Sequence, residues 1–128
     1  MSETMSDLFG APIYVYSRAD AIEDGVLVDV SEVARELGIK YPVAVTQAVW
    51  GRWVEYRGAA AGQSVQGRLW DVLNVFRFTA MGKPGRRWSF KVSAYENGGR
   101  GRLADLYAVC GPGDTADPVI TIMEVGED

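Results

Sequence analysis

Residues 87–123 read RWSFKVSAYENGGRGRLADLYAVCGPGDTADPVITIM, and this stretch decides the fold class. Over 88–94 apolar and polar side chains alternate, as they do in a strand with one buried face. Asn97-Gly98 is a strong hairpin signal, and a second strand is predicted over 103–110. Pro118 opens a third strand over 119–123, which is apolar on both faces and should be central or covered on both sides. The stretch therefore predicts a three-stranded antiparallel β-meander.

Two longer amphipathic helices are predicted before the meander. The first follows Pro42, a residue favoured at a first helical position. The second follows Ser64 and is stopped by Gly82 and Pro84. Each has apolar residues at helical spacing, and these are Val45, Val49, Trp53 and Tyr56 in the first and Val65, Leu69, Val72, Leu73 and Phe76 in the second.

The N-terminal third predicts short elements. Residues 8–16 read as a short strand, and 18–24 as a helix capped by Ser17 and stopped by Gly25. The apolar run 26–30 is either a strand or a packed connector. Ser31 is expected to cap a helix over 32–37 that Gly38 ends. Together these elements predict an α+β fold, with the meander packed against the two longer helices.

Length and composition indicate one globular domain spanning residues 1–128. The chain is 48% apolar and 23% charged, which leaves room for disorder only at the ends, over residues 1–7. No apolar run approaches the roughly 18 residues that cross a bilayer, so no membrane partner is expected. The amino terminus is polar and acidic, unlike a signal peptide, and the expected location is therefore cytoplasmic.

The chain has no histidine and one cysteine. These counts exclude histidine-based nucleophile systems, an internal disulfide and multi-cysteine zinc sites. Cys110 is interpreted as a small apolar side chain in a strand. A group of acids near the C-terminus could hold a hard cation, but calcium-loop spacing is missing and turn aspartates usually cap their own backbone; these acids are Asp105, Asp114, Asp117 and Glu124. No metal, cofactor or catalytic residue is therefore assigned.

Charge is segregated along the chain, whose net charge is −4. Residues 1–40 carry eight acids and three bases, 41–104 three acids and ten bases, and 105–128 six acids and no base. Surface neutralisation is one interpretation, in which each ion pair contributes about 0–1 kcal/mol. The other is a polarised surface that steers a charged partner.

The candidate binding residues come from the basic middle block and are Arg86, Arg87, Trp88, Arg100 and Arg102. Gly98-Gly99-Arg100-Gly101-Arg102 joins two strands and does not open a helix, so it is not interpreted as a phosphate loop. Arg87 and Arg102 fall at opposite ends of the predicted hairpin, so one continuous basic patch is not guaranteed. Trp50 and Trp70 lie at the edges of their apolar stripes and are either core-edge residues or anchors for a protein partner.

Several segments resemble one known family. They are LFG at 8–10, PIY at 12–14, AIEDGVLVDVSEVARELG at 21–38, PVAVTQAVW at 42–50, GRLWDVL at 67–73 and CGPGDTADPVITIM at 110–123. They are similar to a family of small bacterial proteins of unknown function, carried on plasmids, integrative elements and phages. The resemblance implies no catalytic residue. It implies a mobile-element setting, in which small acidic proteins often inhibit host defence systems by direct contact.

The leading hypothesis is a non-catalytic protein-interaction module that inhibits a host defence complex, such as a CRISPR or restriction system. One alternative is a histidine-free nuclease or transferase using Arg87, Lys91, Tyr107 and Glu124. Another is a binder of single-stranded nucleic acid that stacks bases on Trp88 and Tyr95. The acidity of the chain disfavours this last alternative, because it weakens binding to phosphate backbones. The sequence does not determine the oligomeric state.

Overall fold

The computed structural model describes residues 15–55, 64–95 and 101–127, without the side chain of Tyr95. In these ranges the chain forms an α+β fold on a five-stranded mixed sheet. Its strands are β1 (Leu27–Asp29), β2 (Val43–Thr46), β3 (Arg87–Tyr95), β4 (Gly101–Pro112) and β5 (Pro118–Glu124). Their order is β1-β2-β5-β4-β3. Strands β2 and β5 are parallel, whereas the other neighbours are antiparallel.

The helices of the described ranges are mostly short. They are α1 (Arg18–Glu23), α2 (Ser31–Glu36), α3 (Gln47–Val49), which continues into a π-helical turn (Trp50–Val54), and α4 (Val65–Ala80). In the described part of the chain, no helix has the length and apolar character needed to cross a membrane.

The predicted meander is one part of a larger sheet. Strands β3, β4 and β5 are consecutive antiparallel neighbours, and β5 occupies the central position, as its apolar character predicted. Strands β2 and β1 extend this sheet beyond β5, which was not predicted from the sequence. The hairpin turn at Asn97-Gly98 and residues 8–14 of the predicted first strand lie outside the described residues, and 15–17 are not a strand.

The helix predicted after Pro42 is wrong over its first residues, because Val43–Thr46 form strand β2, and helical structure begins only at Gln47. The Pro42 carbonyl accepts the N–H of Ile120 at 2.8 Å, which joins this segment to β5. Val43, Ala44 and Val45 are all fully buried, so both faces of the strand are covered. Such a strand has no alternation of apolar and polar residues. Its short apolar run is therefore compatible with both the two-residue period of a strand and the 3.6-residue period of a helix. The meander therefore packs against one long helix, α4, together with the short α3 and its π-helical turn.

Helix α4 follows its prediction closely. The Ser64 hydroxyl accepts the N–H of Gly67 at 3.0 Å and caps the helix, which ends before Gly82 at φ +68°. Four residues of the predicted apolar stripe, Leu69, Val72, Leu73 and Phe76, are buried in the core, whereas Val65 in the first turn is 40% exposed.

The two N-terminal helices also form where they were predicted. Ser17 and Asp20 make a capping box on α1, and Gly25 adopts φ +81° just after it. Gly38 ends α2 in the same way, at φ +87°. Ser31, however, is the first residue of α2 rather than its cap. Its hydroxyl donates to Asp29 Oδ1 at 2.6 Å and accepts the N–H of Val43 at 3.0 Å.

The core lies between the helices and one face of the sheet, here called the helix-packed face. Val45, Ile122 and Ala108 pair in register across this face and belong to the main core cluster. The opposite, second face has its own buried residues, Ala44 and Tyr107. The helix-packed side of β5 is buried and its other side is half-buried, so the sheet separates two surfaces with different surroundings.

Candidate functional site

An apolar groove opens where the end of α4 passes over the start of β3. It is a cavity of about 280 Å³, and its lining also includes the loop before β2 and one residue each from β4 and β5. The groove is defined here by six of its lining residues, Tyr41, Phe76, Arg77, Met81, Trp88 and Cys110. It is therefore assembled from five separate segments of the chain.

Trp88 is the best-fixed wall of the groove. Its indole N–H donates to the Lys83 carbonyl at 3.0 Å, across the loop between α4 and β3. Its ring meets Phe76 edge-on, with centroids 5.9 Å apart and planes at 70°. An aromatic ring held by both a hydrogen bond and an edge contact loses little further freedom when a ligand binds.

Two other walls of the groove expose large apolar side chains. Met81 is 56% exposed just beyond the end of α4, and Tyr41 is 47% exposed before β2. Aromatic residues, Met and Arg are enriched in protein interfaces, and Met adapts its shape to its partner. Together with the fixed Trp88 ring, these side chains form an apolar surface suited to a protein partner.

The groove is bordered by positive charge. Arg77 lines it, and the exposed Lys40 lies between two lining residues. Lys83 and Arg86 are exposed in the loop that leads to Trp88, and the Arg86 carbonyl accepts the N–H of Cys110 at 2.8 Å. No carboxylate lines the groove among the described residues. The surroundings therefore favour an acidic ligand.

The structure does not bring the predicted binding residues into one patch. Arg86 and Trp88 lie at the groove, but Arg87 follows the register of Val109 onto the second face. Arg102 pairs with Ala94, which lies seven positions along β3 from Arg87. Arg102 and Ala94 are both on the helix-packed face. Arg100 lies outside the described residues. Of the predicted set, therefore, only Trp88 lines the groove, with Arg86 in the loop two positions before it.

The residues of the enzyme hypothesis divide between the two sheet faces. The Arg87 guanidinium carbon lies 3.9 Å from the ring centroid of Tyr107, on the second face. Lys91, on the same face, pairs with Asp105 at 3.3 Å. Glu124 lies on the helix-packed face, where its Oε1 accepts the indole N–H of Trp53 at 2.7 Å. The four groups do not converge on one position.

Asp114 and Glu124, two of the C-terminal acids, have structural partners. Both oxygens of Asp114 accept backbone N–H groups at the start of α1, from Arg18 at 2.7 Å and Ala19 at 3.0 Å. Glu124 also pairs with Arg52 at 3.2 Å. No group of three or more potential metal ligands occurs within residues 15–55, 64–95 and 101–127. These contacts tie segments of the chain together.

Two adjoining cavities surround Arg18 on the second face of the sheet. The Arg18 guanidinium donates to Thr121 Oγ1 at 2.6 Å and to the Ile120 carbonyl at 2.8 Å. Burial lowers the pKa of Arg18, while Asp29 and Asp114 act in the opposite direction. Adjoining cavities of about 280 and 340 Å³ share Arg18 and Asp114. Asp29 and Asp114 balance the charge of Arg18, and its guanidinium donates to groups on β5. Arg18 therefore anchors α1 to β5.

The other tryptophans divide between core and core edge. Trp53 is buried, and Trp50 and Trp70 are half-buried. The indole nitrogen of Trp70 is buried and meets no hydrogen-bond acceptor among the described residues. Cys110 is half-buried on β4 and packs against the core, as a small apolar side chain would.

Three walls of the groove were not predicted from the sequence, and these are Tyr41, Arg77 and Met81. Tyr41 and Met81 each lie beside the end of an element, before β2 and after α4. A large apolar residue at such a boundary is a signal that could have identified them, because it falls outside any amphipathic stripe. Their meeting at Trp88 is not visible in the sequence.

Comparison with known proteins places the chain in a family. No curated protein matches it, and no solved structure matches it. The family model described as "Family of unknown function (DUF6573)" matches residues 5–128, nearly the whole chain. The chain therefore belongs to DUF6573, a family of unknown function.

Proposed function

We propose that this protein is a non-catalytic interaction module that binds an acidic, partly apolar segment of a partner protein in the groove at Trp88. The single observation that carries the proposal is the groove itself. It combines an apolar cavity of about 280 Å³ with a positive border, and no carboxylate lines it within the described residues. The apolar walls supply the driving force, and the border selects an acidic partner.

The walls have the character of interface hot spots. Truncating a hot-spot residue, most often Trp, Tyr or Arg, costs about 2 kcal/mol or more of binding free energy. Trp88 is already held in place by Phe76 and the Lys83 carbonyl in the free protein, so its side chain loses little conformational entropy on binding. Met81 and Tyr41 adjust to the side chains that enter between them.

The finer proposal concerns the identity of the partner. The resemblance to proteins of plasmids, integrative elements and phages suggests that the partner is a subunit of a host defence complex. On this proposal the protein acts by occupying a surface of a CRISPR or restriction complex, and no chemical step is involved.

Site-specific photo-crosslinking in a bacterial extract tests the proposal. The photoreactive residue p-benzoylphenylalanine replaces Tyr41 in one variant and Leu103 in a matched control. Leu103 is a large apolar residue that is 63% exposed on β4, away from the groove. We expect one partner to crosslink from position 41 and not from 103, through a segment rich in Asp and Glu.

A second variant links that crosslink to the groove. Met81→Glu places a carboxylate at an exposed wall position and should abolish the crosslink from position 41 while leaving the fold intact. Equal crosslinking from both positions, or a crosslink that survives Met81→Glu, would contradict the proposed site. A partner outside any defence complex would remove the finer proposal and leave the binding function standing.

A further inference from the structure

We infer that the partner segment binds as an extended, acidic strand added to the free edge of β3, beside the groove. This inference rests on the proposed function, because it assigns a conformation and a main-chain contact to the same partner segment. The observations that carry it are the position of β3 in the sheet, the direction of its main-chain groups and its charge.

Strand β3 is a long edge that no other strand of the described residues covers. It is the terminal strand of the sheet, and its nine residues pair with β4 in continuous register from Arg87 to Tyr95. At about 3.3 Å per residue it spans about 30 Å. Edge strands are commonly protected by proline, a bulge, short length or charged side chains, especially Lys. Strand β3 contains no proline and no bulge, and its two charges, Arg87 and Lys91, are both positive, so its edge is a template for a strand of opposite charge.

The direction of the main-chain groups follows from one hydrogen bond. The Arg86 carbonyl accepts the N–H of Cys110, so the main-chain groups of Arg86 point towards β4. In an antiparallel pair this direction alternates along the strand. The N–H and C=O groups of Ser89, Lys91 and Ser93 therefore point away from β4, towards the open edge. The side chains of all three residues are exposed on the second face.

Charge distinguishes an acidic partner from a second copy of this chain. Strand β3 carries Arg87 and Lys91 and no acid. If two copies paired antiparallel over their full length, Lys91 would lie directly opposite Lys91, an arrangement that destabilises a strand pair. An incoming strand with Asp or Glu opposite Lys91 has the complementary charge. Lys91 already pairs with Asp105 at 3.3 Å, but both side chains are exposed and such a surface ion pair is weak. Lys91 therefore remains accessible to a partner.

The edge is continuous with the groove. Trp88 belongs to β3 and also lines the groove. An extended segment along β3 thus passes the groove at one end, where an apolar side chain from its groove-facing side can enter. Such a segment has acidic residues on one face and an apolar anchor on the other, since strand side chains alternate between faces.

A library of synthetic nine-residue peptides provides the probe, with Asp or Glu alternating with Val, Leu or Phe. Binding is measured by fluorescence anisotropy against the full-length protein and a matched pair of variants. Ser89→Pro removes an edge N–H that β4 does not use, and Ser89→Ala keeps it. We expect the best peptides to bind wild type and Ser89→Ala equally, and Ser89→Pro at least tenfold more weakly.

An N-methyl scan of the best peptide keeps the protein unchanged, so it decides the question even if Ser89→Pro unfolds. Loss of binding at every second peptide N–H is the expected result. A uniform or absent effect would overturn strand addition. If binding is lost in Met81→Glu but kept in Ser89→Pro, the added strand is contradicted and the groove remains as the binding site. If binding is kept in Met81→Glu but lost in Ser89→Pro, the groove is contradicted. No peptide binding, or a dimer in sedimentation that Ser89→Pro abolishes, overturns the acidic strand as occupant.

Discussion

Replacing Ser31 by alanine should destabilise the protein far more than an ordinary serine substitution. The Ser31 hydroxyl accepts the N–H of Val43 at 3.0 Å, and Val43 is fully buried. Alanine leaves that buried N–H without its acceptor, at a cost of about 1–3 kcal/mol. The hydroxyl also donates to Asp29 at 2.6 Å, and this bond is lost as well. The affected N–H is at the first residue of β2, so the loss falls on the strand that joins β1 to β5.

Urea unfolding followed by circular dichroism measures this effect. With a slope of about 2 kcal/mol per molar urea, a loss of about 2 kcal/mol moves the midpoint by about 1 M. The matched control is Ser93→Ala on β3, where the side chain is exposed and the change should stay within about 0.5 kcal/mol. If Ser31→Ala falls within the range of that control, the assigned role of the hydroxyl at β2 is wrong.

Three further predictions concern the core and the ties between segments. Leu73→Ala, at a fully buried position in α4, should lower the free energy of unfolding by about 2–5 kcal/mol in the same assay. Asp114→Ala removes the acceptor of two backbone N–H groups at the start of α1 and should cost about 0.5–2 kcal/mol, with faster amide exchange in α1. Asp117→Ala in the same turn should leave that exchange unchanged, and equal acceleration by both would refute the tie. Glu124→Gln keeps an acceptor for the Trp53 indole and should lower the free energy of unfolding less than Glu124→Ala does. Glu124→Ala should also shift the fluorescence of Trp53. Equal unfolding midpoints for the two variants would contradict this ranking.

The sequence predicted the elements whose signals are local. The cap at Ser64 and the stop at Gly82 act within one turn of α4, and the apolar spacing between them needs no distant partner. The same holds for the capping box of α1 at Ser17 and for the alternation along β3. Such local signals act within the element itself and do not depend on what packs around it. These predictions were therefore confirmed.

The site was only partly predictable. Trp88 was selected because aromatic and basic residues lie together around it in the sequence. Tyr41 and Met81 are 40 positions apart, and they meet only because β2 joins the sheet beside β5. Arg87 and Arg102 were grouped by sequence, but the two-residue period and antiparallel register of β3 and β4 put them on opposite faces.

By itself, the sequence determined the α+β class, the long helix α4 and the antiparallel order of the last three strands, because caps, glycine stops and side-chain periods act over a few residues. Tertiary structure alone decided that residues 43–46 are a strand. An apolar run buried on both sides has no period to read, and its conformation is set by Ile120 and Ile122 on β5, more than 70 residues away. The groove depends on the same pairing, since the strand that follows Tyr41 positions one of its walls.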